Sequence, residues 1–284
     1  MIDFPIIDAH VHLWDIQKLR YPWLDDIPLL NRNYQLPDYN AACGPLQVEK
    51  IIFMQCECDP AQYRDEVRWA TELAENEDPR IAGIVSWAPL EKGEAARPEV
   101  EALAGNKRVK GVRRIIQFES DLEFCLRPDF IRGVRMLPDY DLTFDICIAW
   151  QHNRNTLRFI EKCPDVRFIL DHIGKPDIKR HLLDPWRSEI KAMAEFPNVF
   201  CKVSSLATEA DHQNWTIEDL KPYAYQIFEC FGFDRTVYAG DWPVSTQAAS
   251  LQVCAATIEQ LAGGCPAADL KKLFHDNAEK FYKV

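Results

Sequence analysis

Residues 7–12 read Ile7-Asp8-Ala9-His10-Val11-His12, at the end of an apolar run that starts at Pro5. Successive side chains of a β-strand point to opposite faces, so His10 and His12 project the same way and lie close together. Two imidazoles on one face can chelate one divalent metal. What surrounds that strand decides whether the pair marks a site.

Working outward, seven more β-like runs follow Pro5–Trp14. They are Lys50–Glu57, Ile81–Ala88, Val109–Gln117, Leu142–Trp150, Val166–His172, Asn198–Ser205 and Arg235–Trp242. Each is rich in Ile, Val, Phe or Leu and is bounded by Gly, Pro, Asp or Asn. Stretches such as Ile51-Ile52-Phe53-Met54 are apolar on both faces, as parallel strands covered on both sides require. Helical patterns lie between them. Pro60–Asn76 carries Tyr63, Val67, Ala70 and Ala74 at helical spacing, with Asp59 as N-cap. Thr216–Phe231 opens with a Thr216/Asp219 capping pair and stops at Gly232. The last segment carries a stripe of Leu270, Leu273, Phe274, Ala278 and Phe281.

Eight strands alternating with helices, about 30 residues apart, predict an α/β fold of the (β/α)8 TIM-barrel type. A doubly wound open sheet is the alternative. Eight strands suffice to close, and no GxGxxG follows any strand, so the barrel is preferred. With no linker in view, residues 1–284 are expected to form one barrel domain. The proline-rich segment 19–45 is too long for a simple β-to-α turn and is expected to fold over the barrel mouth. Its Tyr21, Trp23, Tyr34 and Tyr39 either line a pocket or pack the loop down.

The 284 residues carry 33 Lys and Arg against 44 Asp and Glu, a net charge of −11. That balance excludes a non-specific nucleic-acid binder and disfavours an anionic membrane surface. No apolar run approaches the roughly 20 residues of a membrane helix. The opening Met1-Ile2-Asp3-Phe4-Pro5 has no basic segment followed by an apolar one, so a cytoplasmic protein is expected. Ten cysteines without a CxxC read as buried thiols of a reducing compartment rather than a disulfide framework.

In a barrel of this kind, active sites lie at the C-terminal ends of the strands. Strand eight ends Ala239-Gly240-Asp241-Trp242-Pro243 and neighbours strand one in a closed barrel. Asp241 is therefore expected beside His10 and His12, as a metal ligand and as the acceptor of a proton from attacking water. Its other reading is a helix cap. Strand six ends Leu170-Asp171-His172. Alternation lets only one of the last two point inward, and His172, nearest the mouth, is chosen as a catalytic residue or third ligand. Gln55 and Glu57 share a face at the end of strand two. Gln55 would bind a substrate hydroxyl, and Glu57 would complete the metal shell or form a salt bridge. Arg113 and Arg114 occupy opposite faces, so one reaches the mouth and binds an oxygen-rich substrate, while alternation leaves open which. His152 binds substrate or caps a helix. Trp87 and Trp150 floor the pocket or simply pack. Ser204 and Ser205 lack a G-x-S-x-G elbow, so a serine nucleophile is disfavoured.

Together IDAHVHLWD at 7–15, YPWL at 21–24, KGVRR at 110–114, LDHIGKP at 170–176, NVFCKVS at 198–204, AGDWPV at 239–244 and FHDNAEKFY at 274–282 resemble the amidohydrolase superfamily. The likeness is to its amidohydrolase-2, fuconolactonase-like branch. It implies a distorted (β/α)8 barrel and hydrolysis of sugar-acid lactones. By position it implies His10, His12, His172 and Asp241 as site residues. There is no lysine at the end of strand four and no clear strand-five histidine, which implies at most one divalent metal, zinc with manganese as the alternative. The branch also includes lactonases that work without metal. A metal-dependent non-oxidative decarboxylase and a catalytically silent sugar-acid-binding barrel are the competing readings. The expected partners are a small lactone and, for the chain itself, a homo-oligomer, with neither nucleic acid nor membrane.

Overall fold

All eight apolar runs contain a strand in the computed structural model, which describes residues 2–284. The strands are β1 (Ile6–Val11), β2 (Val48–Met54), β3 (Ile81–Ser86), β4 (Val109–Val112), β5 (Thr143–Ile146), β6 (Phe168–Leu170), β7 (Val199–Val203) and β8 (Thr236–Tyr238). Each pairs in parallel with the next, in the order β1 to β8. The ring closes through the residues after β8: Val11 bridges Trp242, His12 N donates to Trp242 O at 2.8 Å, and Asp241 N donates to His10 O at 2.8 Å. Asp8 reinforces this seam, with Oδ1 accepting from Gly240 N at 2.7 Å and Oδ2 accepting from Tyr39 Oη–H at 2.9 Å. Only glycine fits at 240, because a Cβ there would lie 2.5 Å from both Asp8 Oδ2 and a Leu251 methyl.

Helices follow the strands: α1 (Leu36–Cys43), α2 (Tyr63–Asn76), α3 (Arg97–Ala104), α4 (Pro128–Arg135), α5 (Asn153–Glu161), α6 (Trp186–Ala194), α7 (Ile217–Phe231), α8 (Leu251–Leu261), α9 (Ala267–Lys271) and α10 (Asn277–Tyr282). Asp59 caps the turn that leads into α2 by accepting from Ala61 N. Thr216 and Asp219 form the capping box of α7, and Gly232 ends it at φ 62°. Among the described residues no helix is long and apolar enough to cross a membrane.

Two apolar layers organise the core. Ile7, Ala9, Ile52, Met54, Val85, Ile169 and Val237 pack with Phe281 and Tyr282 of α10, which plugs the barrel. A larger layer joins the outer faces of the strands to the helices. All ten cysteines are free thiols and seven are buried, as the composition suggested.

The strands stop sooner than their composition suggests. β2 ends at Met54 rather than Glu57, β6 at Leu170 rather than His172, and β8 at Tyr238 rather than Trp242. Beyond those ends Glu57, His172, Ser205 and Asp241 adopt φ between 51° and 56°. A left-handed non-glycine residue costs of order 1 kcal/mol, and such residues cluster where a side chain must be aimed.

Candidate active site

The floor of the mouth is built by β1. Asp8 pairs with Ile51 and Val11 with Phe53, three residues on β1 against two on β2, so β1 carries a bulge. Strict alternation would put Asp8, His10 and His12 on one face. The bulge instead leaves Asp8 on the helix side, bonded to Tyr39 of α1, and turns both histidines into the barrel. His10 Nε2 and His12 Nε2 are 3.1 Å apart, and Asp241 Oδ1 lies 3.5 Å from each. His12 Nδ1 is 2.9 Å from Met54 O. A carbonyl only accepts, so Nδ1 carries the proton and the Nε2 lone pair is left for a metal ion.

His172 reaches the same carboxylate, with Nε2 3.9 Å from Asp241 Oδ1 and Nδ1 2.9 Å from Ser204 Oγ. Ser205 Oγ–H donates to Asp241 Oδ2. The expectation that only one of Asp171 and His172 points inward is corrected. Asp171 Oδ1 lies 3.5 Å from His10 Nδ1, and Oδ2 lies 3.3 Å from Arg113 Nη1. Alternation ends with β6 at Leu170, and the left-handed His172 turns back beside its neighbour.

The arginine question is resolved by β4. Val112 faces the helices, so Arg113 faces the barrel. Its Nη1 is 3.2 Å from His10 Nε2, and its Nη2 donates to Gln55 O at 2.6 Å. Arg114 leaves the site. It pairs with Glu119 and Glu91 and lies over the Phe124 ring at 4.9 Å.

Beneath the histidines lies a group that sequence reasoning missed. Lys202 of β7 is fully buried, with Nζ 2.6 Å from Asp145 Oδ2, 2.9 Å from Asp171 Oδ1 and 3.3 Å from His10 Nδ1. Tyr282 donates to Asp145 at 2.6 Å. The signal was present, since Lys202 and Asp145 each interrupt an apolar strand and a buried charge needs a partner.

The open pocket above this floor is lined by His12, His172 and Asp241, by Glu57, Gln117 and Lys175, and by an apolar wall that includes Trp23 and Phe118. Several expected contacts are elsewhere. Glu57 stands apart from both groups of clustered metal-type donors, His10/His12/Asp241 and His10/Asp171/His172. Its carboxylate accepts from Gln55 Nε2 at 2.8 Å, because its left-handed backbone turns it out of strand register. Gln55 itself is buried in that local pairing. His152 is buried with its ring nitrogens facing Ala149 O and Glu119 O; it does not line the pocket, and its side chain makes no cap bond to α5. Trp87 packs on Tyr63 at 5.0 Å, Trp150 packs against the outer core, and neither lines the pocket. Of the four aromatics in 19–45 only Trp23 lines it, with Nε1 donating to Cys56 O at 2.8 Å. Tyr34 and Tyr39 pack edge-on against Trp242, and Tyr21 packs near Trp14.

Burial opposes ionisation of Asp241, but the imidazoles of His172, His12 and His10 outweigh it and hold the carboxyl far below its usual range. Burial pushes the imidazoles down too, His172 to about 4 and His10 well below its ordinary value, with Lys202 adding to the shift of His10. His12 is also lowered by burial, against the pull of Asp241. At neutral pH the site therefore holds an ionised carboxylate among neutral imidazoles. Burial alone would lower Lys175, but Cys147, Glu209 and Asp241 hold its ammonium above the ordinary lysine range.

His10, His12 and Asp241 fit a zinc ion. With zinc–nitrogen bonds near 2.1 Å, the edge of a tetrahedron is about 3.4 Å, and the three donors here are 3.1–3.5 Å apart.

Comparison with known proteins agrees with this architecture. The chain is 31% identical to an L-fucono-1,5-lactonase of Burkholderia multivorans, covering 98% of this chain and 96% of that one. It is 23% identical to an L-rhamnono-gamma-lactonase of Scheffersomyces stipitis over the whole of both chains. A crystal structure of a Burkholderia multivorans amidohydrolase with bound zinc superposes with a TM-score of 0.89 at 28% identity, covering 99% of this chain and 100% of that one. The amidohydrolase family model, Amidohydro_2, matches residues 7–284, and the chain belongs to that family of hydrolases.

Proposed function

We propose that this hydrolase opens the ring of a sugar-acid lactone, an aldonolactone such as L-fucono- or L-rhamnonolactone. The observation that carries the reading is Asp241: an ionised carboxylate at the pocket wall, with Oδ1 3.5 Å from the imidazoles of His10 and His12. A carboxylate held ionised takes the proton of a water as the water oxygen attacks the lactone carbonyl. The carbonyl carbon to ring-oxygen bond then breaks, and Asp241 returns the proton to the leaving ring oxygen. The product is an open-chain hydroxy acid, which ionises and releases one proton. Ser205 hydrogen-bonds the second carboxylate oxygen and so fixes the direction of Oδ1, which the imidazoles of His10 and His12 face. His172, set by Ser204, helps orient that oxygen. Glu57 and Gln117 offer acceptors for sugar hydroxyls, and Trp23 and Phe118 offer apolar cover.

His10, His12 and Asp241 would hold a zinc ion, which would supply Lewis acidity at this end of the pocket when bound. The lactonase relatives favour this reading over a decarboxylase or a silent binder. A panel of aldonolactones monitored with a pH indicator tests it. Acid release from at least one lactone is expected. Release of carbon dioxide from aromatic acids alone, or binding without turnover, overturns it.

A further inference from the structure

Two permanent cations line the pocket, Arg113 and Lys175. Arg113 is held within the floor of the site, since Nη1 faces His10 and Asp171 and Nη2 donates to Gln55 O. Its Nε is buried away from solvent. Lys175 differs. Its side chain is 21% exposed, and the nearest carboxylate oxygen, Glu209 Oε1, is 3.7 Å from Nζ, beyond hydrogen-bond length. Its backbone is left-handed at φ 45°, in a turn where Lys175 N donates to His172 O at 2.9 Å and Lys175 O accepts from Trp150 N. That turn carries the ammonium to the pocket that Asp241 and His172 also line. An ammonium with free donors in a pocket closed by an anionic base is a place for oxygen that gains negative charge.

We propose that Lys175 is a substrate-contacting residue that hydrogen-bonds the carbonyl-derived oxygen of the lactone and then the carboxylate of the ring-opened acid. The pocket thereby becomes a carboxylate-binding site in its own right. This role rests on the lactone reading for its first half only, because carboxylate binding needs no turnover.

The test compares wild type with Lys175→Met and Lys175→Arg by calorimetry. The probes are L-fuconate and L-rhamnonate, each beside the matching alditol, in which a CH2OH group replaces the carboxylate. Lys175→Met is expected to weaken aldonate binding by about 10- to 100-fold, the usual loss for a charged hydrogen bond, while alditol binding stays unchanged. Lys175→Arg is expected to restore most of the aldonate affinity. On the lactone that turns over, Lys175→Met is expected to lower kcat by about 100-fold with a smaller change in KM. Equal weakening of aldonate and alditol, or aldonate affinity unchanged in Lys175→Met, overturns the proposal. So does a wild-type protein that binds neither aldonate. Failure of every lactone to turn over sinks the functional reading alone, since the calorimetric comparison still decides the role of Lys175.

Discussion

Lys202 Nζ lies 2.9 Å from Asp171 Oδ1 inside the barrel, and neither side chain reaches solvent. Through this pair the site is held from below. Asp171 in turn meets His10 and Arg113, so one buried ammonium sets two of the groups at the mouth.

Lys202→Met is expected to cost about 3–5 kcal/mol, because it leaves Asp145 and Asp171 buried without their cation. Burial and the nearby Asp171 push Asp145 up, against Lys202, so without the lysine Asp145 takes up a proton more readily still. The loss, measured by urea unfolding, should therefore shrink as pH falls. An identical loss in mild acid and mild alkali speaks against the pairing.

The two adjacent arginines should separate cleanly. Arg114→Ala removes surface-side ion pairs with Glu119 and Glu91 and should leave kcat/KM within about threefold, with a stability change near 1 kcal/mol. Arg113→Met removes the guanidinium that spans His10, Asp171 and Gln55 and should lower kcat/KM by 100-fold or more, roughly the loss of a preorganised donor. Steady-state kinetics on both variants decide it.

Glu66 gives a pH dependence of stability outside the site. Burial raises its carboxyl from 4.5 to about 8, against the hydrogen bond from Cys56 N. A raised folded value means the native state keeps a proton that the unfolded chain has lost. The contribution is full below about pH 4.5 and is lost as pH rises through about 8. Glu66→Gln should flatten this slope and stabilise the protein by a few kcal/mol in alkali. Urea midpoints across the pH range that do not converge or cross between the two proteins rule it out.

Asp241→Asn keeps the shape of the carboxylate and removes its basicity. Ring opening should fall by about 10³-fold or more, while the circular dichroism spectrum stays that of the parent. Near-normal turnover would remove Asp241 from its proposed role.

Metal content is the fifth check. Equilibrium dialysis should load one zinc per chain at the His10, His12 and Asp241 donors, and His12→Ala should lower that affinity by about 100-fold. Undiminished zinc in His12→Ala would place the ion elsewhere.

Much of this was legible in the chain. The pairing of His10 with His12 follows from strand alternation, and their meeting with Asp241 follows from closing eight parallel strands. Elsewhere alternation gave no direction, for one local reason. Glu57, His172 and Asp241 lie beyond the last residue of their strands and have positive φ, where period-two reasoning says nothing about direction. Asp241 stands beside His10 because its backbone still bonds to β1, whereas Glu57 turns away from the metal-type donors and Asp171 joins His172 in the site.

By itself the sequence determined the barrel, the ring of eight and the β1 histidine pair, because apolar runs and alternation are local and repeat along the chain. Tertiary structure alone decided that Arg113 rather than Arg114 faces the site and that Lys175 reaches the pocket. It also decided that Lys202 meets His10 across 192 residues of sequence. A buried charge must find its counter-charge, and which one it finds depends on strands that only the closed barrel brings together.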